Sequence, residues 1–520
     1  MELIKKNIHM DRIRTQAVSQ VTLEEDMNIP DQKPDVSSLC FDRASVMIDE
    51  VKPYTDYVQV RGRLCFAVLY HTQEEGCGLV TLEGKIPFEE KINMQGVQGS
   101  DLVHVQNTLE DLRVGIINSR KLSIQAVATL TALVQELYDE EAPIGLYGED
   151  SAEYRRTPVE VAQIAICKND IFRVKEEIAL PASYPNMFQI LWSSLTLDDV
   201  ECKPLEGKLS LQGDLHLFLL YEGEGEEHPV RSFETTLPFS GAMECHGSRD
   251  GMIPDIHFMM GQQELDIRPD LDGEERIIGL ETVLEIDIRI YEEEQTEILT
   301  DIYGVTRELT TISRSASLRR LLSRVNGKMK VNDHVRIQNK DAGILQLLHS
   351  QGTVQPDRQE VTEEGLELWG SLQVKVLYIT GADDMPYASA AAQIPYHYTL
   401  EIPGLEKEDI CDVKCSVEQL QVTMLDGEEM DVKAVLVFGT IAFRNIPLEL
   451  IGDVIAAPLD THKLGTLPGM TVYIVKPGDN LWNIGKRYYL PVERLRELNE
   501  LTSDELTPGQ KLLVVKGGMV

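Results

Sequence analysis

Close to the C-terminus, one short segment concentrates residue types that recognise ligands. Gly478, Asp479, Asn480, Leu481 and Trp482 follow one another directly. A carboxylate, an amide and an indole can exchange hydrogen bonds with a partner and offer it an aromatic face. A few such anchors supply most of the binding free energy at many interfaces, and Trp482 is the strongest candidate among them. The segment therefore indicates binding chemistry.

Catalytic chemistry has little support elsewhere in the chain. The nearest approach to a nucleophile with a base is His397 with Cys411 and Cys415, and no motif supplies a residue to orient them. Paired carboxylates are frequent, but they follow from the acidic composition. We therefore expect no catalytic residues, no cofactor and no metal site.

The elements that would position the binding segment follow a β-α-α-β order. A strand is predicted at 472–475, and Asp479 is expected to cap the next helix because its carboxylate can accept from free amide groups. Three apolar residues recur at helical spacing on the inner face of that helix: Leu481, Ile484 and Tyr488. A second helix begins at Pro491, where proline is tolerated. A turn at 508–510 then leads into a closing strand at 511–515.

The rest of the chain contains one pattern three times. In each copy a Gly is followed eight residues later by a Tyr, and seventeen residues after that by a Pro between apolar residues. The three sets are Gly62, Tyr70 and Pro87; Gly213, Tyr221 and Pro238; and Gly370, Tyr378 and Pro395. The copies lie 151 and 157 residues apart, which fits whole domains in tandem and is too long for a solenoid unit.

Apolar and polar residues alternate around each repeated Gly, as at Leu64 and Phe66 after Gly62. This period of two predicts a strand with one buried face. The glycine is then a bulge or a site of close backbone approach. The first two copies also share a Pro-x-x-x-Pro element, at 30–34 and 181–185, which the third copy lacks.

These patterns predict a mainly β chain of three tandem antiparallel sandwich or barrel domains, followed by the small module. The predicted boundaries are 1–150, 151–312 and 313–463 for the repeats, 464–470 for a linker and 471–520 for the module. One exception is expected at 315–325, where Leu318, Leu321 and Leu322 share a face at helical spacing. A basic stretch at 314–330 runs through this predicted helix, and we expect it to be a solvated face between domains.

The charge of the chain excludes one class of partner. Its 49 Lys and Arg against 86 Asp and Glu give a net charge of −37, and a field of that sign repels nucleic acid. Residues 471–520 carry seven basic and six acidic side chains, so the deficit lies in the repeats. No apolar run reaches the ~18 residues of a transmembrane helix, and residues 1–18 lack the apolar stretch that a secretion signal needs. The sequence therefore predicts an intracellular protein without a transmembrane segment.

The C-terminal module closely resembles the LysM family. The segment 473–484 reads Tyr-Ile-Val-Lys-Pro-Gly-Asp-Asn-Leu-Trp-Asn-Ile, and 508–512 reads Pro-Gly-Gln-Lys-Leu. The resemblance implies a shallow groove that binds N-acetylglucosamine polymers such as peptidoglycan or chitin. Carried over, the groove is lined by Gly478, Asp479, Asn480 and Leu481 on one side and by Asn499, Leu501 and Pro508 on the other. Two residues in its loops depart from the family: Asn480 replaces Thr or Ser, and Tyr489 replaces the usual Gly.

Three β-rich repeats ahead of one LysM module are similar to the SPOCS-LysM proteins of spore-forming Firmicutes. The resemblance covers nearly the full length and implies a non-catalytic scaffold of spore-coat assembly in the mother-cell cytoplasm, at the outer forespore surface. In clostridial members the LysM module is associated with binding the ATPase that polymerises as the coat's basement layer. That ATPase and other coat proteins are the expected partners. Two alternatives stay open: peptidoglycan binding without catalysis, and a wall-processing enzyme that the module targets.

Overall fold

The chain is almost entirely antiparallel β-structure up to residue 458. The computed structural model describes residues 2–72, 78–148, 151–225, 228–336, 343–382, 385–466 and 468–515. The last five residues of the predicted module, 516–520, lie outside the described residues. The prediction of a mainly β fold with repeated domains is confirmed.

Each repeat contributes six strands in the same order. The first contains β1 (Glu2–Asn28), β2 (Val36–Tyr54), β3 (Tyr57–Thr72), β4 (Leu79–Asn93), β5 (Val103–Asn118) and β6 (Lys121–Tyr147). The second contains β7 (Ala152–Ala179), β8 (Met187–Leu205), β9 (Lys208–Gly223), β10 (Val230–Glu244), β11 (Ile253–Pro269) and β12 (Glu275–Gly304). The third contains β13 (Arg307–Arg336), β14 (Ile344–Val361), β15 (Leu366–Thr380), β16 (Tyr387–Leu400), β17 (Ile410–Met424) and β18 (Glu429–Pro458). The domain boundary predicted at 312/313 therefore falls inside β13.

The six strands of a repeat form two three-stranded antiparallel sheets. In the first repeat β3 lies between β2 and β4, and β6 lies between β1 and β5. The central strands are β9 and β12 in the second repeat, and β15 and β18 in the third. One hydrophobic core lies between the two sheets of each repeat. Each repeat is therefore a sandwich whose central strands are the most apolar.

The repeated Gly lies opposite the aromatic residue that follows the repeated Pro. The cross-strand pairs are Gly62 with Phe88, Gly213 with Phe239, and Gly370 with Tyr396. A β-carbon on Gly62 would stand 2.7 Å from the Phe88 ring and 2.5 Å from the backbone oxygen of Met47. The register of β2 shifts beside it, between Ile48 and Glu50. The close approach is confirmed, and the bulge lies on the neighbouring strand.

The repeated Tyr holds the Pro-x-x-x-Pro loop. The Tyr70 hydroxyl donates to the Pro34 carbonyl at 3.1 Å, and the Tyr221 hydroxyl donates to the Pro185 carbonyl at 3.3 Å. Arg120 donates to three further carbonyls of the first loop, those of Ile29, Pro30 and Lys33. A buried hydroxyl needs such an acceptor, so the two elements of the repeat depend on each other.

The three repeats close into a ring around an aromatic cluster. Phe41, Trp192 and His349 occupy equivalent positions, because the repeat spacing of 151 and 157 residues separates them. The Phe41 and Trp192 rings meet edge to face at 5.3 Å, and His349 stacks on Phe218 at 4.1 Å. Lys375 of the third repeat closes the ring, with its ammonium 4.9 Å from the Phe41 ring centre. Each repeat therefore contacts both of the others.

The predicted helix at 315–325 is wrong. These residues lie in β13, where they pair with β18 with one register shift between Leu321 and Ser323. Leu318 is buried in a second cluster between repeats, and it packs there with Ile8, Val161 and Ile298 from the long strands of the other two repeats. Ladder hydrogen bonds to β18 run along the segment, and together with the burial of Leu318 they override its local helical spacing.

The first part of the basic stretch at 314–330 joins repeats, whereas Arg324, Lys328 and Lys330 are exposed as predicted. Arg319 of β13 binds Asp11 of β1, with the guanidinium 2.6 Å from the carboxylate and the two side chains only 13% and 11% exposed. Arg314 binds Glu140 of β6 at 2.5 Å. An ion pair that is buried to this degree is costly to break from one side, so these contacts fix the third repeat against the first.

The C-terminal module has the predicted β-α-α-β order. After α1 (Thr461–Thr466) it contains β19 (Met470–Ile474), α2 (Leu481–Tyr488), α3 (Val492–Leu498) and β20 (Lys511–Val515). The strands β19 and β20 pair antiparallel. Among the described residues, none of the helices is both long and apolar enough to cross a bilayer.

Candidate binding site on the C-terminal module

The C-terminal module has a hydrophobic core of its own. Eight buried residues form it: Val475, Leu481, Ile484, Tyr488, Leu490, Leu495, Leu512 and Val514. Leu501 packs against this core from the loop after α3. Of the predicted groove residues, Leu481 and Leu501 are therefore brought together, but as core residues.

The side chains of Asp479 and Asn480 both form hydrogen bonds within the module. The cap of α2 is Asn480, whose side-chain oxygen accepts from the Asn483 amide at 2.8 Å. Asp479 instead accepts from the Lys476 amide at 2.8 Å and from the Tyr473 hydroxyl at 2.7 Å. These bonds hold the pKa of the Asp479 carboxyl below its usual value, the Lys476 amide being the larger cause. The prediction of Asp479 as the cap is wrong, because its carboxylate closes the preceding turn.

Asn499 ties α3 to the closing strand. Its amide donates to the carbonyls of Leu495 and Leu513, both at 2.9 Å, and its side-chain oxygen accepts from the Leu513 amide at 2.6 Å. All three bonds lie within the module. Pro508 and Gly478 are exposed at turns, and Gly478 has a φ of +86° that favours glycine. The fold itself thus uses the hydrogen-bonding groups of Asp479 and Asn499.

Tyr489 occupies a left-handed position at the end of α2. Its φ is 55° and its ψ is 44°, and its amide donates to the Gly485 carbonyl. Glycine adopts this conformation without steric cost, which accounts for its prevalence at this position in the family that the module resembles.

Trp482 is only partly exposed to solvent, because it packs on the second repeat. Its indole nitrogen donates to the Asp301 carboxylate at 2.7 Å. Its ring meets the Tyr303 ring edge to face at 4.9 Å, and the Arg155 guanidinium lies 5.8 Å from the ring centre. The side chain is half-buried in this contact. Of the residues that the sequence singled out for binding, Trp482 is the one that the described contacts place against the body.

Two more contacts complete this junction. Lys486 binds the same Asp301 carboxylate at 2.6 Å, and the Tyr303 hydroxyl donates to the Leu490 carbonyl at 2.7 Å in a buried bond. Burial alone would raise the pKa of Asp301, but the hydrogen bonds from Lys486 and Trp482 outweigh it and lower the pKa. The sequence analysis did not predict Asp301 and Tyr303, because nothing in their local pattern indicates that the end of a long strand contacts the C-terminal module.

Comparison with known families agrees with this geometry. A family model described as "SipL, SPOCS domain" matches residues 35–117, 186–268 and 343–425. A second model, "LysM domain", matches residues 473–515. The chain is a SPOCS–LysM protein with three SPOCS domains. These domains place it among sporulation-related proteins with peptidoglycan-binding potential, and the SPOCS domains point to the spore coat.

The SPOCS matches cover part of each sandwich. In the first repeat of this SPOCS–LysM protein the match spans β2 to β5, and the long strands β1 and β6 lie largely outside it. The second and third matches are placed in the same way. The buried cluster between the long strands, with Leu318 and Ile298, therefore belongs to parts of the repeats beyond the family model.

Curated relatives match over short stretches. The SPOCS–LysM protein is 51% identical over 39 residues to the uncharacterized protein YkzQ of Bacillus subtilis, covering 8% of this chain and 52% of that protein. It is 48% identical over 44 residues to the N-acetylmuramoyl-L-alanine amidase sle1 of Staphylococcus saprophyticus, covering 8% and 14%. The chain thus spans about half or less of the length of these relatives. No solved structure shows significant similarity to it.

SPOCS and LysM domains are non-catalytic binding modules, and the nearest Cys/His arrangement in the chain is not assembled for catalysis. His397 binds the Glu367 carboxylate at 3.1 Å and stacks on Trp369 at 4.9 Å. Burial raises the pKa of Cys411 to about 11 and also raises the pKa of Cys415. A nucleophilic thiol needs a lowered pKa, so both cysteines have the electrostatics of structural residues.

Proposed function

We propose that this protein is a non-catalytic adaptor of spore-coat assembly, in which the SPOCS body carries the LysM domain to a partner protein. The observation that carries the proposal is the construction of the LysM domain. It has its own core of buried residues, and it rests on the body through Trp482, Lys486 and Leu490. A small domain that is held at one junction can engage a partner while its carrier belongs to a larger assembly.

The hydrogen bonds within the LysM domain favour a protein partner over a glycan. A sugar polymer is recognised through precisely placed polar groups, and the fold already uses the carboxylate of Asp479 and the amide of Asn499. A protein partner can instead be bound through an aromatic anchor such as Trp482. The residues proposed for the contact are Gly478, Asp479, Asn480, Trp482, Tyr489, Asn499 and Pro508, with Trp482 supplying most of the affinity, while Leu481 and Leu501 support them from the core.

The partner that we propose is the ATPase that polymerises as the basement layer of the coat, together with other coat proteins that contact the SPOCS domains. The protein would then act in the mother-cell cytoplasm, at the outer surface of the forespore. The resemblance to SPOCS-LysM proteins supports this assignment, and so does the acidic body, which repels nucleic acid and anionic lipid.

Peptidoglycan is the second candidate ligand. The specific observations that favour it are the LysM match at 473–515 and the wall amidase among the relatives. The exposed turns at Gly478 and Pro508 would then form the sugar-binding groove. A wall-processing activity that LysM targets is the weaker form of this alternative, given the raised pKa of Cys411.

The test uses residues 464–520, which contain the complete LysM core. The domain is incubated with insoluble sacculi and, separately, with the polymerised basement-layer ATPase, and the sedimented fraction is measured. We expect sedimentation with the ATPase. Trp482→Glu should abolish it, because a charged side chain cannot replace the indole at the centre of a contact. Lys511→Glu, a charge change at an exposed position of β20, is the control and should bind as the parent does. Retention by sacculi alone would overturn the protein-docking proposal in favour of the second candidate.

A further inference from the structure

The LysM domain occupies one of three equivalent strand ends. Each long central strand carries one unpaired residue near its C-terminal end: Ile144 in β6, Thr300 in β12 and Gly452 in β18. The residue after each bulge is Gly145, Asp301 or Asp453, and two residues later follow Tyr147, Tyr303 or Ile455. The second repeat alone therefore pairs an Asp with a Tyr at this position.

The burial of these side chains also separates the second repeat from the other two. Tyr303 is 3% exposed beneath the LysM domain, whereas Tyr147 is 72% exposed and Ile455 is 52% exposed. Asp301 and Asp453 each accept from the amide of the next residue, and Asp301 also accepts from Trp482 and Lys486. The side chains at these two positions, and not the shared backbone bulge, account for the choice of the second repeat.

The junction is built as a close fit. A β-carbon on Gly485 would stand 2.6 Å from the Tyr303 hydroxyl and 2.7 Å from the Leu490 carbonyl. The glycine thus lets α2 approach the strand end closely enough for the Tyr303 hydroxyl to reach Leu490. Glu153 adds a backbone contact to the start of α3, at Val492.

We propose that this junction is a closed state of the LysM domain, in which the strand end of the second repeat competes with the coat partner for Trp482. The inference rests on the proposed function, since it needs Trp482 to be the partner's anchor. In the closed state the indole nitrogen is bound to Asp301 and the ring edge lies against Tyr303. The partner and the strand end cannot hold the same indole together, so binding requires release.

The tether between the third repeat and the LysM domain allows even a weak junction to keep the domain closed. Eleven residues, 459–469, separate the end of β18 at Pro458 from the start of β19 at Met470. A short tether holds a domain at an effective concentration on the order of millimolar. A contact with a dissociation constant in that range would therefore keep about half of the molecules closed, and one with tighter binding would keep most of them closed. The apparent affinity for the partner falls with the closed fraction.

The experiment compares Asp301→Ala with Asp453→Ala in the full-length protein. The first substitution removes the acceptor of both Trp482 and Lys486. The second removes the equivalent Asp from the strand end of the third repeat, where the exposed Ile455 stands in place of Tyr303. Opening is read from quenching of tryptophan fluorescence by acrylamide, with full-length Trp482→Phe as the reference for the other two tryptophans. Affinity is read by sedimentation with the polymerised basement-layer ATPase.

We expect Asp301→Ala to increase quenching and to bind the polymer roughly five- to tenfold more tightly, with Asp453→Ala unchanged in both measurements. Tyr303→Phe, which removes only the bond to Leu490, should shift both measurements in the same direction by less. Increased quenching with unchanged affinity would overturn the competition and leave the proposed function standing. Increased quenching with no binding by any variant, the parent included, would refute the proposed function and the competition with it. Unchanged quenching in Asp301→Ala would refute the closed state itself.

Discussion

Replacement of the repeated glycine by alanine should destabilise the first repeat more than the second. A β-carbon on Gly62 would lie 2.5 Å from the Met47 carbonyl oxygen, which is 0.5 Å inside the 3.0 Å that real contacts respect. Backbone cannot rotate away, so β2 and β3 must separate locally. A β-carbon on Gly213 would meet only side chains, with the Phe239 ring nearest at 2.9 Å. We therefore expect Gly62→Ala to cost roughly 3 kcal/mol of unfolding free energy and Gly213→Ala about 1 kcal/mol.

The measurement is urea unfolding of the full chain, followed by far-ultraviolet circular dichroism. Gly115→Ala is the matched control, because Gly115 is exposed in β5 and its nearest neighbour would be 3.9 Å away. That control should be neutral, or stabilising by about 0.5 kcal/mol, since alanine restricts the unfolded chain.

Removing the aromatic ring distinguishes a clash with the backbone from a clash with a side chain. Phe239→Leu should relieve most of the cost of Gly213→Ala, so the double mutant should show a coupling energy near 1 kcal/mol. Phe88→Leu should rescue Gly62→Ala only in part, because the Met47 carbonyl remains in place. Equal stability of Gly62→Ala and Gly115→Ala, or full rescue by Phe88→Leu, would refute the steric reasoning.

Two further predictions concern the ring of repeats and the LysM fold. Burial lowers the pKa of His349 from 6.5 to about 4, so its contribution to stability is complete above pH 6.5 and falls by up to roughly 3 kcal/mol as the pH drops toward 4. His349→Phe should flatten the thermal-unfolding midpoint between pH 6.5 and 4 relative to the parent, and an unchanged slope would contradict the assignment. Asn499→Ala should destabilise the isolated LysM domain by about 2 to 3 kcal/mol, because three internal hydrogen bonds are lost and the Leu513 amide loses its partner. Asn483→Ala, which keeps the backbone amide that Asn480 caps, is the control. Equal melting temperatures of the two variants would contradict the prediction.

Some features were predictable because they depend on residues close together in sequence. The period of two at Leu64 and Phe66 predicted a strand with one buried face, and both residues are buried in β3. The glycine at 62 predicted a bulge or a close backbone approach, and the structure shows the close approach. The β-α-α-β order of the LysM domain followed from spacings of three and four residues at Leu481, Ile484 and Tyr488. Local periodicity determines which face of an element is buried, whatever that face then packs against.

Other features depended on partners far away in sequence. Leu318 and its neighbours have helical spacing, but the partner strand β18 lies more than a hundred residues later and makes the segment a strand. The cap of α2 is Asn480 and not the predicted Asp479, because the Tyr473 hydroxyl and the Lys476 amide donate to the Asp479 carboxylate in the preceding turn. These outcomes were set by competition among hydrogen-bond partners.

The sequence by itself determined that this protein has three related β-rich domains, an acidic body and a LysM domain, because repeats, charge and motif spacing are properties of the chain alone. Only the tertiary structure decided that Trp482 meets Asp301 and Tyr303, and that Arg319 meets Asp11. The hydrogen bonds from Trp482 to Asp301 and from Arg319 to Asp11 join residues that are 181 and 308 positions apart. Such pairs exist only after three sandwiches have closed into a ring and placed their strand ends side by side, and no local pattern encodes that arrangement.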